Sequence, residues 1–172
     1  YYDFNKQIFE NNFTGTINFG SSGSNDLNNT NNLRTKVVND LNYQSLDFIS
    51  KNGFKSSYNV YFKNLNTMAK NDSIYKTSPQ MELMSLFEFN TSLPLINQAK
   101  NSTNYFTPKA SIRFNPGDMK DYSSSDRSVN VNNIFEINRL AIDDSFEEGK
   151  SLTLGFDYKR TKLNEINKFF EA

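Results

Sequence analysis

Four carboxylates stand together at Asp143, Asp144, Glu147 and Glu148. A cluster of this kind is where a general acid and base for glycoside hydrolysis would be sought. Gly149 follows at once, so a solvated turn fits the same residues. A second charged stretch, Gly117-Asp118-Met119-Lys120-Asp121-Tyr122 with Asp126-Arg127, lacks the D-x-[DN]-x-[DN]-G spacing of a calcium loop and reads as a connection. Beyond these, the inventory is short. The 172 residues include no His and no Cys. Ser-His-Asp and Cys-His nucleophile systems, thiolate or imidazole zinc sites and disulfides cannot be assembled from them. No phosphate loop or dinucleotide fingerprint occurs. No catalytic residue, metal site or cofactor is expected, and the chain does not read as an enzyme.

Charge narrows the partners. Nineteen basic and 19 acidic side chains cancel, leaving no positive excess to neutralise nucleic-acid phosphates. Mean hydropathy is −0.69, and no apolar run approaches the ~18 residues of a membrane helix. That argument does not reach membrane barrels, whose strands alternate apolar and polar residues. Aromatic residues make up 15% of the chain, all Phe or Tyr, while Asn is the commonest residue at 27. Such an Asn load suits turns better than helices or strands.

The elements that would carry these groups read as strands. Phe13, Gly15, Ile17 and Phe19 alternate with polar residues, and a Ser/Gly/Asn loop is expected from Gly20 to Asn32. A second run places Val37, Leu41 and Tyr43 on one parity, with Val38 breaking the pattern. A third sets Phe54, Ser56, Tyr58, Val60 and Phe62 against Lys55, Ser57, Asn59, Tyr61 and Lys63. In the fourth, from Gln80 to Asn90, Met84 and Leu86 intrude on the polar face. The cleanest run opposes Phe106, Pro108, Ala110, Ile112 and Phe114 to Thr107, Lys109, Ser111, Arg113 and Asn115. The sixth opposes Leu152, Leu154, Phe156 and Tyr158 to Ser151, Thr153, Gly155, Asp157 and Lys159. Period-two alternation on this scale predicts an antiparallel all-β protein of about six strands. Turns are expected at Asn71-Asp72-Ser73 and from Asn97 to Asn104. Asn132 to Phe146 has spacing for a turn or two of helix. Leu163, Ile166 and Phe170 suit a short amphipathic helix or a frayed end.

Two architectures fit. In a soluble or surface β-sandwich, binding glycans or a protein partner, the apolar face meets a second sheet. In an outer-membrane barrel it meets lipid and the polar face lines a wet lumen. Nine residues at ~3.3 Å rise and ~40° tilt span roughly 20 Å, close to the ~25 Å apolar band of such barrels. Six strands are too few to close a natural membrane barrel, which begins at about eight. A barrel reading therefore makes residues 1–172 a sector, with further strands expected beyond both ends. The opening at Tyr1 and the finish NEINKFFEA agree with a fragment of a longer reading frame.

An ordered string of motifs carries a resemblance. It runs Phe106-Thr107-Pro108-Lys109, then Arg113-Phe114-Asn115-Pro116-Gly117-Asp118, then Asn133-Ile134-Phe135-Glu136-Ile137-Asn138-Arg139-Leu140. Asp144, Glu147 and Gly149 follow, and Leu152-Thr153-Leu154-Gly155-Phe156-Asp157-Tyr158 closes it. Over residues 105–159, about a third of the chain, this resembles the C-terminal barrel region of the LptD family of lipopolysaccharide-assembly proteins. One departure is Ala141, where the pattern leads to an expectation of Gly after the Arg-Leu pair. The resemblance implies a transmembrane outer-membrane β-barrel that receives lipopolysaccharide from periplasmic bridge components and releases it into the outer leaflet. It also implies an LptE-like plug lipoprotein within the lumen, and surrounding outer-membrane lipid. No active site carries over. On the wet face, Lys109, Arg113 and Lys159 are the basic groups placed to meet anionic headgroups or a plug.

Overall fold

The computed structural model describes residues 4–7, 15–28, 32–119, 126–162 and 168–171. The strands are β1 (Phe4–Gln7), β2 (Gly15–Asn28), β3 (Asn32–Ser45), β4 (Phe48–Ile49), β5 (Lys55–Lys70), β6 (Gln80–Ser92), β7 (Leu95–Ala99), β8 (Ser102–Asn115), β9 (Gly149–Lys162) and β10 (Lys168–Glu171). They form one antiparallel sheet in the order β1-β2-β3-β5-β6-β8-β9-β10, with β4 beside β5 and β7 beside β8. The sheet is strongly curled into half a barrel, and no helix occurs among the described residues. The fold is thus all-β and antiparallel. The six alternating runs fall on the six long strands, Phe13 of the first lying outside the described residues and Phe54 of the third just ahead of β5, and four short strands come in addition among the described residues.

Two short strands arise from interruptions. β6 pairs with β8 from Phe87 to Ser92, and β7 continues along β8 from Leu95 to Ala99. Leu93-Pro94 separates them. Proline cannot donate to the ladder, while the Leu93 N–H reaches the Pro108 carbonyl (3.0 Å). The turn expected from Asn97 to Asn104 is a tight hairpin, with Asn97–Ala99 paired to Ser102–Asn104 and the turn itself at Lys100-Asn101. Gly20 to Asn32 departs from expectation. Residues 20–28 and Asn32 lie in strands, paired continuously from Gly20↔Asp40 to Asn28↔Asn32. Here cross-strand backbone bonds override a composition that favours turns.

Asn132 to Phe146 forms turns rather than helix, and Phe170 lies in β10, paired with Tyr158. Leu163 and Ile166 lie outside the described residues. The Asn71-Asp72-Ser73 turn is present. Asp72 Oδ1 accepts the N–H groups of Ile74 (2.8 Å) and Tyr75 (3.0 Å), the local bond that makes Asp a turn former.

The two faces of the curled sheet are opposite in chemistry. On the convex face the row Ile17, Tyr43, Val60, Phe87, Phe114 passes directly across five strands. Phe87 stacks on Phe114 with centroids 6.4 Å apart, and Phe106 meets Phe156 at 5.4 Å. These side chains are open to the surroundings: Ile112 is 55% exposed, Leu152 64% and Leu154 70%. The apolar band crosses the strands obliquely. On β2 and β3 it continues to Phe19 and Leu41, on one side of that row. On β8 and β9 it continues on the other side, to Phe106 and Tyr158. Strand tilt in a barrel produces this drift.

The concave face is buried and largely polar. Asn59, Lys63, Thr67, Glu88, Ser111, Arg113, Asn115 and Thr153 are all buried there. One small apolar cluster, Val38, Leu65, Ala69 and Tyr75 with Met84 against it, sits where the 71–79 turn folds in. Val38 and Met84, which break the alternation, supply part of this inner core, and Leu86 is likewise buried on the concave side.

Candidate functional site

The polar concave face carries the chemistry, and register assembles it. Asn59↔Glu88 and Glu88↔Arg113 are direct cross-strand partners on β5, β6 and β8. Asn59 Nδ2 donates to Glu88 Oε2 (2.7 Å), and Arg113 Nε donates to Glu88 Oε1 (3.1 Å). The side chains of Arg113 and Glu88 are 5% and 4% exposed. A buried ion pair is tolerable only when its remaining donors and acceptors are met. Arg113 Nη2 meets one more, the Glu136 carbonyl.

That carbonyl belongs to the long connection between β8 and β9, of which 116–119 and 126–148 are described; Lys120, Asp121 and Tyr122 of the charged stretch lie outside the described residues. The second half of this connection lies over the concave face and is fastened to wall strands far apart in sequence. Lys63 Nζ donates to the Asp143 carbonyl (2.8 Å) and pairs with Asp40 (2.8 Å). Tyr75 Oη donates to Asp144 Oδ2. Asn115 Nδ2 donates to the carbonyls of Phe146 (3.2 Å) and Glu147 (3.1 Å). Phe146 lies edge-on to Tyr61 with centroids 6.4 Å apart and beneath the Lys63 ammonium at 5.4 Å. Ile142 is 3% exposed.

Arg139 organises the connection internally. Its Nε and Nη2 clasp both oxygens of Glu147 at 2.5 Å, and Nη1 reaches Thr153 Oγ1 on β9 (3.4 Å). The bond to Glu147 holds the guanidinium above its ordinary pKa against the opposing effect of burial. Ala141 takes a φ of +51°, and Arg127 Nη1 donates to the carbonyls of Leu140 and Ala141.

The acidic cluster is thereby committed to structure. Asp144 and Glu147 are engaged by Tyr75 and Arg139, and Glu148 Oε2 accepts the Met119 N–H (3.0 Å). No group of His, Cys, Asp or Glu suited to a metal ion occurs among the described residues. The three basic residues singled out from the sequence share the concave parity but not the same surroundings. Arg113 is spent on Glu88 and Glu136. Lys109 pairs with Asp157 (2.6 Å) and covers the Phe135 ring at 4.7 Å. Lys159, opposite Tyr105, is exposed.

Glu88, Asn59, Lys63 and Tyr75 belong to this network and were not apparent as site residues in the sequence. Asn59, Lys63 and Glu88 sat on polar parities, but only strand register sets Asn59, Glu88 and Arg113 side by side. The arrangement can hold a folded segment inside a polar cavity and neutralise most of the charges that line it. Compared with protein-family models, with curated proteins and with solved structures, the chain matches none.

Proposed function

We propose that this chain is a sector of an outer-membrane β-barrel that inserts lipopolysaccharide into the outer leaflet during outer-membrane assembly. The observation that carries the membrane part is the inverted polarity of the sheet. Large apolar side chains such as Leu154 and Ile112 stand exposed on the convex face, while Arg113 and Glu88 are buried on the concave one. Lipid outside and a wet, partly filled lumen inside account for both. The convex apolar surface runs across six strands, where soluble monomers rarely expose extended apolar patches. The lipopolysaccharide part rests on the ordered motifs of residues 105–159.

In this reading β1 and β10 pair with further strands that close the barrel, since unpaired backbone in lipid costs several kcal/mol per group. The lumen takes an LptE-like plug lipoprotein beside the folded connection, and periplasmic bridge components deliver the cargo. Lys159 remains open to anionic headgroups or to the plug. Outer-membrane barrels carry their longer connections outside the cell, so the end bearing residues 71–79 and 116–148 faces outward. A β-sandwich would instead need a second sheet over the convex face; among the described residues there is one sheet, and the covering segment lies on the polar side.

The test places single cysteines from Lys109 to Phe114 in the complete protein, in cells. Ala110, Ile112 and Phe114 should react with a lipid-dissolved thiol probe only, and Ser111 and Arg113, under the connection, with neither or with a water-soluble probe. Depletion of the protein should then lower surface lipopolysaccharide. Apolar positions closed to both probes would replace the barrel with a protein core. Labelling as expected with unchanged surface lipopolysaccharide would keep the barrel and remove its cargo.

A further inference from the structure

Toward the outward end of the convex face the apolar rows of β2, β3 and β5 are interrupted by a ladder of neutral polar groups, level with Leu83 on β6. Ser21 Oγ donates to Asn39 Oδ1 (2.7 Å), and Asn39 Nδ2 donates to Asn64 Oδ1 (3.1 Å). Asn66 Nδ2 donates to that same Asn64 oxygen (2.6 Å). Ser21, Asn39 and Asn64 are direct partners on β2, β3 and β5, one row beyond Phe19, Leu41 and Phe62. Asn64 Nδ2 and Asn66 Oδ1 have no partner among the described residues, so the ladder presents one donor and one acceptor outward.

The ladder borders a groove of about 400 Å³ walled by Phe19, Leu41, Phe62 and Leu83. Its origin is one small residue. Ser85 takes the convex position directly across from Phe62, between Leu83 and Phe87 on β6, and leaves a dent among large side chains. Lys63, at the groove's floor, turns its ammonium to Asp40 and the Asp143 carbonyl on the concave side. The groove is therefore apolar along its length and uncharged at its polar end.

Hydrocarbon fits the walls. The polar end offers neutral amide and hydroxyl groups, which match the hydroxyls and amides of a glycolipid's sugar rings; a glycerophospholipid headgroup, charged and without such amides, meets no opposite charge here. We propose that this groove seats an acyl chain of lipopolysaccharide in the outer leaflet, with the sugar headgroup against Asn64 and Asn66. The proposal rests on the barrel reading above and adds to it a lipid site on the outer wall.

A single cysteine, Leu83→Cys at the groove or Leu152→Cys elsewhere on the same face, is introduced as the only reactive thiol of the complete protein in lipopolysaccharide-bearing cells. It is modified with a benzophenone maleimide, irradiated, and the adducts are identified. The expected result is a lipopolysaccharide adduct enriched at Leu83→Cys over Leu152→Cys. Asn64→Leu should lower that enrichment roughly fivefold, the equilibrium equivalent of one ordinary hydrogen bond. Ser85→Phe, which fills the dent, should abolish it. Each variant is checked for folding by its heat-dependent gel mobility, and either one alone carries the test. Equal adducts at both positions, or phospholipid alone at Leu83→Cys, would overturn the groove site and leave the barrel standing. No lipid adduct at either position would overturn both.

Discussion

Ala141 occupies a left-handed backbone position, φ +51°, immediately after Arg139-Leu140. That conformation costs a residue with a Cβ roughly 1–2 kcal/mol and costs glycine much less. Ala141→Gly should therefore leave stability unchanged or raise it by up to about 1 kcal/mol, the relieved strain being partly offset by glycine's greater unfolded-state freedom. Denaturant unfolding of the refolded protein in lipid measures this. Glu88 offers a sharper case. Glu88→Ala strands the buried Arg113 and should cost about 3 kcal/mol, whereas Glu88→Leu with Arg113→Met should cost clearly less, because breaking a buried pair is worse than replacing it. Asp72 supplies an acid dependence. The side-chain bond from Arg34 (2.6 Å) holds its carboxyl down to about 2 from 3.8. A depressed carboxyl stabilises the fold fully above the unfolded value, and the contribution is lost as pH falls from about 4 toward 2. The amides of Ile74 and Tyr75 should lose hydrogen-exchange protection across that window, and Asp72→Asn should abolish the pH dependence. None of these partners could be read from spacing, because Arg34 and Asp72 meet only through a fold-back of 38 residues.

Strands are where the sequence was most readable. Phe106 to Asn115 alternates without a fault and is strand throughout, with its apolar parity outward. Period two identifies such an element and its two faces, but not which face is buried. Here the conventional expectation, apolar inward, is reversed. Val38 and Met84 looked like flaws in the polar face and are contacts of the inner cluster. Legibility failed where composition opposed pairing: Gly20 to Asn28 has loop chemistry and strand structure, because β3 supplies a backbone partner for each residue. It failed again in the β8–β9 connection, whose contacts to β5 lie up to 80 residues away. The reversed polarity makes a prediction at this scale. Ile112→Arg, in the apolar band, should destabilise the barrel in lipid vesicles by about 2–4 kcal/mol, and Asn64→Arg, in the polar ladder nearer the outward end, by clearly less. Folding free energies in vesicles, compared with detergent, report the difference. Equal, small effects would place the convex face in water.

Taken whole, the described residues form an arc with β1 and β10 as its outermost strands and an apolar outer surface. Unpaired edges and extended apolar patches both promote association. The isolated 172-residue chain should accordingly aggregate when refolded in lipid-free, detergent-free buffer, and sedimentation would record a distribution of large species. A soluble monomer there would contradict the membrane reading. The inward-folded connection adds a mechanical consequence. It leaves the arc at Asn115, ties to Lys63 at the middle of the sheet and to Tyr75 in the 71–79 turn through Asp143 and Asp144, and rejoins the sheet at Gly149 after Arg139 has met Thr153 on β9. A segment fixed at the crown and at one side of an arch is a brace: it sets the chord, and so the radius, of the part from β5 to β9 that it spans. The curvature of this wall is then held by polar fastenings on its inner side as well as by strand twist, and loosening them would flatten the wall before it broke any rung of the ladder.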